Sequence, residues 1–130
     1  MPLRCLTVLA VLALAGCDAT TSASSQIVLS DPVSLALGET ATIDGIEITF
    51  VDVDADHRCP DGYMCVWEGP AWVRLQVNGA PESLQVVDPE WQPEAGLHVG
   101  DRRLYATALT PRPTPDTEAR EPVVTVATAD

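Results

Sequence analysis

The sequence predicts an all-β fold, a small antiparallel β-sandwich about the size of an immunoglobulin domain. Three observations predict it. Apolar and β-branched runs are short and alternate with polar residues, which is the period of a half-buried strand. Two of the breaks between runs are Asp44-Gly45 and Asn78-Gly79, dipeptides suited to the paired positive φ angles of a two-residue hairpin turn. No stretch repeats its apolar residues at the period of a helix. A closed β-barrel is the alternative that the same pattern allows.

The first hairpin joins Ala41 and Ile43 to Ile46, Ile48 and Phe50 across Asp44-Gly45. The apolar parity then slips, and Val51, Val53 and Ala55 continue the run out of phase. A β-bulge, or a strand leaving one sheet for the other, accounts for such a slip. Beyond it, Asp52, Asp54 and Asp56 are expected on one face. The second hairpin puts Ala71, Val73, Leu75 and Val77 on one side, turns at Asn78-Gly79 and returns through Leu84–Val87. Leu104–Leu109 and Val123–Val126 complete about seven strands, a number that suits a sandwich. Pro111, Pro113, Pro115 and Pro122 lie between the last two runs. They exclude a helix there and suit an extended connection.

The amino terminus predicts a destination. Arg4 precedes an almost wholly apolar run from Cys5 to Ala15, and Leu14-Ala15-Gly16-Cys17 closes it. Positive charge, apolar stretch and small residues in that order form an export signal, and the apolar part is too short to span a membrane. The tetrad resembles the bacterial lipobox, in which cleavage frees the Cys amine and the thiol carries a diacylglycerol. On this reading residues 1–16 are a signal peptide that is removed, Cys17 is the lipidation site, 17–25 form a small polar tether, and 26–130 form one all-β domain. The protein is expected in the bacterial cell envelope, held to a membrane by lipid and facing the periplasm or the exterior. An ordinary signal peptide that ends in Cys is the plainer alternative.

Charge narrows the partners. The chain carries a formal charge of −12 with no lysine, and loss of Arg4 makes it one unit more negative. Such a surface repels nucleic acid and anionic headgroups, so the acyl chains and not a basic patch would hold it at the membrane. Cations, basic proteins and neutral glycans remain as partners. Plain solubility is the other reason for such acidity.

Chemistry concentrates in residues 52–74. With Cys5 removed and Cys17 acylated, Cys59 and Cys65 are the remaining cysteines. An even pair in an exported chain reads as a disulfide, and Asp61-Gly62 between them offers the turn that folds the thiols together. Asp56-His57-Arg58-Cys59-Pro60, followed by Cys65-Val66-Trp67-Glu68-Gly69, resembles the centre of a family of small bacterial lipoproteins. There the pattern reads D-S-R-C-P and then C-V-W-A-G, with an alternating strand after it, as Trp72–Val77 is here. The resemblance implies an all-β envelope protein with a disulfide-closed loop, and it implies no activity. This chain has His57 for Ser, Tyr63 for an aliphatic residue and Glu68 for Ala, departures that bear on a shared ligand more than on the fold.

Sharper chemistries fit less well. Asp52, Asp54, Asp56 and Asp61 invite a calcium loop, but its sixth position needs Gly and its twelfth Glu, and here these are His57 and Tyr63. A looser carboxylate site for a divalent cation is the main alternative function; a solvated strand face is the bland one. Copper would need His57, Met64 and a free thiolate of Cys59 or Cys65, completed by His98, the only other histidine. A disulfide removes that thiolate. Beyond the tether the serines are Ser30, Ser34 and Ser83, none in a nucleophile elbow, and there is no Gly-rich phosphate loop. Asp52 and Asp54, two apart on one strand, point the same way and cannot flank a substrate. The expectation is a non-catalytic protein without a cofactor.

Recognition is hinted at by aromatic residues. If Ala71, Val73, Leu75 and Val77 face the core, Trp72 points outward with Arg74, and Tyr63, Trp67 and Trp91 are candidates to lie nearby. Tyr63, Trp67, Trp72 and Arg74 are thus the expected binding surface for a protein or glycan. The competing reading covers Trp72 with the disulfide loop as a satellite cluster. A further alternative is a protease inhibitor that presents the Cys59–Cys65 loop, since a closed loop on a β-scaffold is preorganised.

Overall fold

A computed structural model describes residues 27–114 and 120–130. The expected signal peptide, Cys17 and the tether lie outside the described residues, as do residues 115–119 of the Pro-rich connection. Eight strands form: β1 Val33–Ala36, β2 Thr40–Ile43, β3 Ile46–Asp56, β4 Ala71–Val77, β5 Ala80–Gln85, β6 Leu97–Val99, β7 Arg102–Thr110 and β8 Val123–Ala129. They make two four-stranded antiparallel sheets, ordered β1-β8-β7-β6 and β2-β3-β4-β5. Both sheets keep open edges, so the fold is a sandwich and not a closed barrel. The only helical turn among the described residues is a 3₁₀ turn at Pro93–Ala95.

The alternation that predicts the strands also builds the core. Along β4, Ala71, Val73, Leu75 and Val77 are buried and the residues between them exposed. Leu35, Ile48, Phe50, Leu104, Val124 and Val126 meet them from both sheets in one apolar cluster. Fully burying side chains of this size is worth roughly 1.5–3 kcal/mol each. Both hairpins turn as the dipeptides require: Asp44 and Gly45 sit at φ 50° and 79°, Asn78 and Gly79 at 50° and 82°.

The parity slip at Phe50–Val51 is a β-bulge, with the β3–β4 register shifting between Phe50 and Asp52. A second shift, between Val53 and Ala55, corrects the expectation that Asp52, Asp54 and Asp56 share a face. Asp52 lies opposite exposed Arg74, whereas Asp56 lies opposite buried Ala71, because the bulge at Asp54 turns the strand over between them. Two short edge strands, β1 and β6, add to the runs read from the sequence. The return strand ends earlier than its apolar run: Val86 leaves β5 and bridges Ala106 of the other sheet.

The sandwich has two unlike ends. One carries the tight turns at Asp44-Gly45, Asn78-Gly79 and Gly100-Asp101, and there Leu29 bridges Ala129, so the amino-terminal segment joins the fold at this end. The other carries the 57–70 loop and, beyond β7, residues 111–114. β7 runs from one to the other, a span of roughly 30 Å at about 3.3 Å per residue.

Candidate functional site

The 57–70 loop is held to the sandwich by a clamp that begins inside β3. The Nε and Nη2 groups of Arg58 donate to the two carboxylate oxygens of Asp56, each at 2.8 Å. The Arg58 N–H donates to the same carboxylate at 3.2 Å. Burial alone would raise the Asp56 carboxyl, but the hydrogen bonds from Arg58 and the charges of Arg58 and His57 outweigh it. The group is held below the ordinary aspartate value.

Arg58 also reaches the other sheet. Its Nη1 donates to the Leu109 carbonyl, and its Nη2 to the Pro111 carbonyl at 2.9 Å. Two residues further on, the Pro113 carbonyl accepts from the Asp61 N–H at 3.0 Å. Alternate carbonyls along one edge of the chain are therefore taken by the loop. β6 pairs with only Arg102–Leu104 of β7 and Val86 bridges Ala106, so the Arg58 guanidinium meets the strand's edge further on, at the Leu109 carbonyl. An unpaired edge is a template for unwanted pairing, and a guanidinium laid along it removes its acceptors.

Three further ties fix the loop. The disulfide Cys59–Cys65 closes it, with Cα atoms 5.9 Å apart. The turn inside it has Gly62 at φ 84° and a 3.2 Å bond from the Tyr63 N–H to the Pro60 carbonyl, as a type II turn needs. At the loop's far end, the His57 N–H donates to the Pro70 carbonyl at 2.9 Å. A Cβ on Gly69 would stand 2.3 Å from the His57 carbonyl oxygen, so only glycine fits there. Glu68 pairs with Arg112 of the Pro-rich connection.

What the clamp presents is apolar. Met64 is 103% exposed, Val66 95%, Trp67 80% and Tyr63 57%. They surround a shallow groove whose lining includes Cys59, Glu68 and Arg112. Glu68 and Arg112 also border an open cleft of about 640 Å³ between the sheets, with Arg58, Gln85, Asp88 and Thr107 among its walls.

The expected surface thus divides in two. Tyr63 and Trp67 stand together on the loop. Trp72 is outward, 37% exposed, across from Ala55 and Gln85 on the face of the second sheet, and does not line the loop groove. Arg74 is not a free partner for it, since its guanidinium pairs with Asp54 at 2.8 Å. Trp91, 81% exposed, sits on the Asp88–Gln92 turn beside the cleft. Arg112, which joins loop to connection, has no signal in the sequence beyond lying between two prolines.

The cation and copper candidates are dispersed. Asp56 is committed to Arg58, and Asp54 to Arg74 and the Ser83 hydroxyl. The Asp52 carboxylate accepts from the Val53 N–H, and Asp61 stands exposed on the turn. No three His, Cys, Asp or Glu side chains among the described residues converge as a metal site. His98 lies in β6 at the turn end, far from His57 and Met64. Ser30, Ser34 and Ser83 each bond within the fold, to Thr128, Thr125 and Asp54.

No protein-family model matches the chain, and neither a curated protein nor a solved structure matches it. The resemblance to the small lipoproteins therefore rests on its motif alone. Within that motif the residues fall into two groups. Asp56, Arg58, Cys59, Cys65 and Gly69 hold the loop, while Val66 and Trp67 face solvent.

Proposed function

We propose that this chain is a lipid-anchored protein of the bacterial cell envelope that acts by binding, without catalysis, and that it binds through the disulfide loop. One observation carries the reading: four large apolar side chains stand exposed on a loop tied down by a disulfide, a guanidinium clamp and an ion pair. Leaving apolar surface in water has a cost, and a contiguous exposed patch marks an interaction site. Rigidity adds to the argument, because a loop ordered beforehand loses less entropy when it docks. The lipobox-like tetrad after an apolar run supports the anchor and the address, and the acidic composition leaves the acyl chains as what would hold the chain to a membrane. The engaged serines and the dispersed carboxylates favour binding over hydrolysis or cation capture.

The anchor is tested by growing cells that express the whole chain on labelled palmitate. Label is expected on the wild type and not on Cys17→Ala; label on neither sinks the anchor. The loop is tested by a Met64→Ser/Trp67→Ser variant that folds and fractionates normally. It should reproduce the phenotype of deleting the gene, and wild-type behaviour under the same conditions would remove the loop from the function.

A further inference from the structure

Resting on that reading, we infer that the loop seats in a concave, apolar cleft with a basic rim on a protein partner, with Trp67 and Met64 as its anchors. Shape comes first. The exposed side chains project from a turn closed by two cysteines 5.9 Å apart at Cα, so the surface is convex and its complement is a cleft. Chemistry narrows the occupant. A sugar stacks on flat aromatic faces rimmed by polar groups; Tyr63 and Trp67 offer such faces, but the two most exposed members of the patch, Met64 and Val66, interrupt them with aliphatic surface that suits a protein wall better. Tryptophan at the centre of a desolvated patch is the usual anchor of a protein interface, and methionine adapts to an irregular apolar wall.

Charge then selects among apolar surfaces. A chain of formal charge −12 with no lysine is repelled by anionic headgroups and by a second copy of itself. Asp61 is exposed on the loop's own turn, and the nearby Arg112 is already paired with Glu68. Arg120 and Glu121, both exposed just before β8, offset each other, so Asp61 leaves the described residues of this end negative and the rim that complements it is cationic. Position agrees: the loop lies at the end of the sandwich remote from the Leu29–Ala129 bridge. A protein tethered through its amino-terminal segment would then hold the loop roughly 30 Å out from the anchored end.

The test places a photo-crosslinking residue at position 66, 95% exposed beside both anchors, in the full chain in living cells, and a control at position 76 on the sheet face. A single protein crosslinked from 66 and not from 76 is identified and purified, and its affinity for the wild type and for Trp67→Ala is measured. Trp67→Ala is expected to weaken binding about thirty-fold or more. Raising salt from 0.05 to 0.5 M should slow association about ten-fold or more. In parallel, vesicles of phosphatidylglycerol containing brominated lipid should leave Trp emission unquenched. Quenching lost in Trp67→Phe would assign the loop to a membrane, and crosslinks between two copies would assign it to self-association; either overturns the basic-cleft partner while keeping a binding loop. Salt-insensitive binding removes the basic rim. Crosslinks to nothing, with no quenching, overturn this inference; the binding loop falls with it only if Met64→Ser/Trp67→Ser also behaves as the wild type, and a loop that still carries the function would bind a partner other than a protein.

Discussion

The two ends of the sandwich solve the same problem by different means. At the turn end, strands are joined by two-residue connections whose backbone geometry is set by Asp-Gly and Asn-Gly themselves, and the distant ties of Asp44, to Thr128 and Arg102, are made by its side chain alone. At the loop end, fourteen residues between β3 and β4 are held by bonds to segments some fifty positions away, including Leu109, Pro111 and Pro113. Local turns cost little and present little. A loop that must project side chains into water needs long-range ties to stay ordered, and this one has three kinds. Apolar exposure and bracing occur together at one end, and the binding proposed above rests on that coincidence.

The sharpest way to break that contrast is to remove one arginine from each end. Arg58 has a side chain 12% exposed and bonded to Asp56 and two carbonyls. Arg58→Ala leaves the Asp56 carboxylate with a backbone N–H alone and the Leu109 and Pro111 carbonyls without the guanidinium, and the expected loss is about 3 kcal/mol by urea unfolding. Arg102 bridges Asp44 and Asp130 at the turn end with a side chain 35% exposed. Arg102→Ala should cost less than about 1 kcal/mol, as exposed ion pairs do. Equal losses would show that the clamp is not what distinguishes the loop end. The uncovered edge adds a second signature: Arg58→Ala, unlike Arg102→Ala, should aggregate on concentration, followed by light scattering.

The disulfide comes next. Replacing both cysteines, Cys59→Ser/Cys65→Ser, should cost about 2 kcal/mol, below the roughly 3 kcal/mol of a 15-residue loop because the ring closed here is shorter. Amide exchange should rise in residues 59–68 while β4 and β8 keep their protection. Loosening of the whole sandwich would make the disulfide a core element and not a brace on the loop.

These two ties are unequally legible in the sequence. The disulfide follows from the two cysteines that remain once the amino terminus is read as an export signal, and the strands from their period. The bulge at Val51 shows in the slip of apolar parity. The second bulge, at Asp54, does not, since Val53 and Ala55 keep their alternation through it and only the register with β4 exposes the turnover. For that reason the aspartates read as one acidic face, although Asp56 belongs to the clamp and Asp54 to Arg74. Arg58 is visible as part of a motif, but its acceptors beyond Asp56 are backbone carbonyls, which carry no residue signature. The outward Trp72 is readable from strand parity, whereas the grouping of Tyr63, Met64, Val66 and Trp67 depends on how the loop closes.

Acid separates the ends more gently. The carboxyl of Asp56 is held below the ordinary aspartate value of about 3.9 by Arg58. A group depressed in the folded state contributes stability that is complete above its unfolded value and is lost as pH falls through the folded one. Below about pH 4 the clamp should therefore weaken progressively. Asp56→Asn should be less stable than the wild type at neutral pH, with the gap narrowing as pH falls below about 4 in parallel melting series. A gap that stays constant to about pH 2 would mean that the carboxylate's charge does not hold the clamp.

The smallest expected effect on stability is the one that sharpens the contrast most. Trp67 is 80% exposed, so Trp67→Ala removes almost no packing from the folded state. A change of at most about 0.5 kcal/mol is expected in either direction, as for surface positions without a special contact. A large aromatic residue that contributes nothing to folding, on a loop whose supports cost several kcal/mol to remove, is held in place for something other than the fold. A loss above about 1.5 kcal/mol on Trp67→Ala, comparable to burial of a large side chain, would show instead that the indole packs onto the sandwich in solution. The loop would then be a cover and not a contact, and the division between the two ends would be one of construction alone.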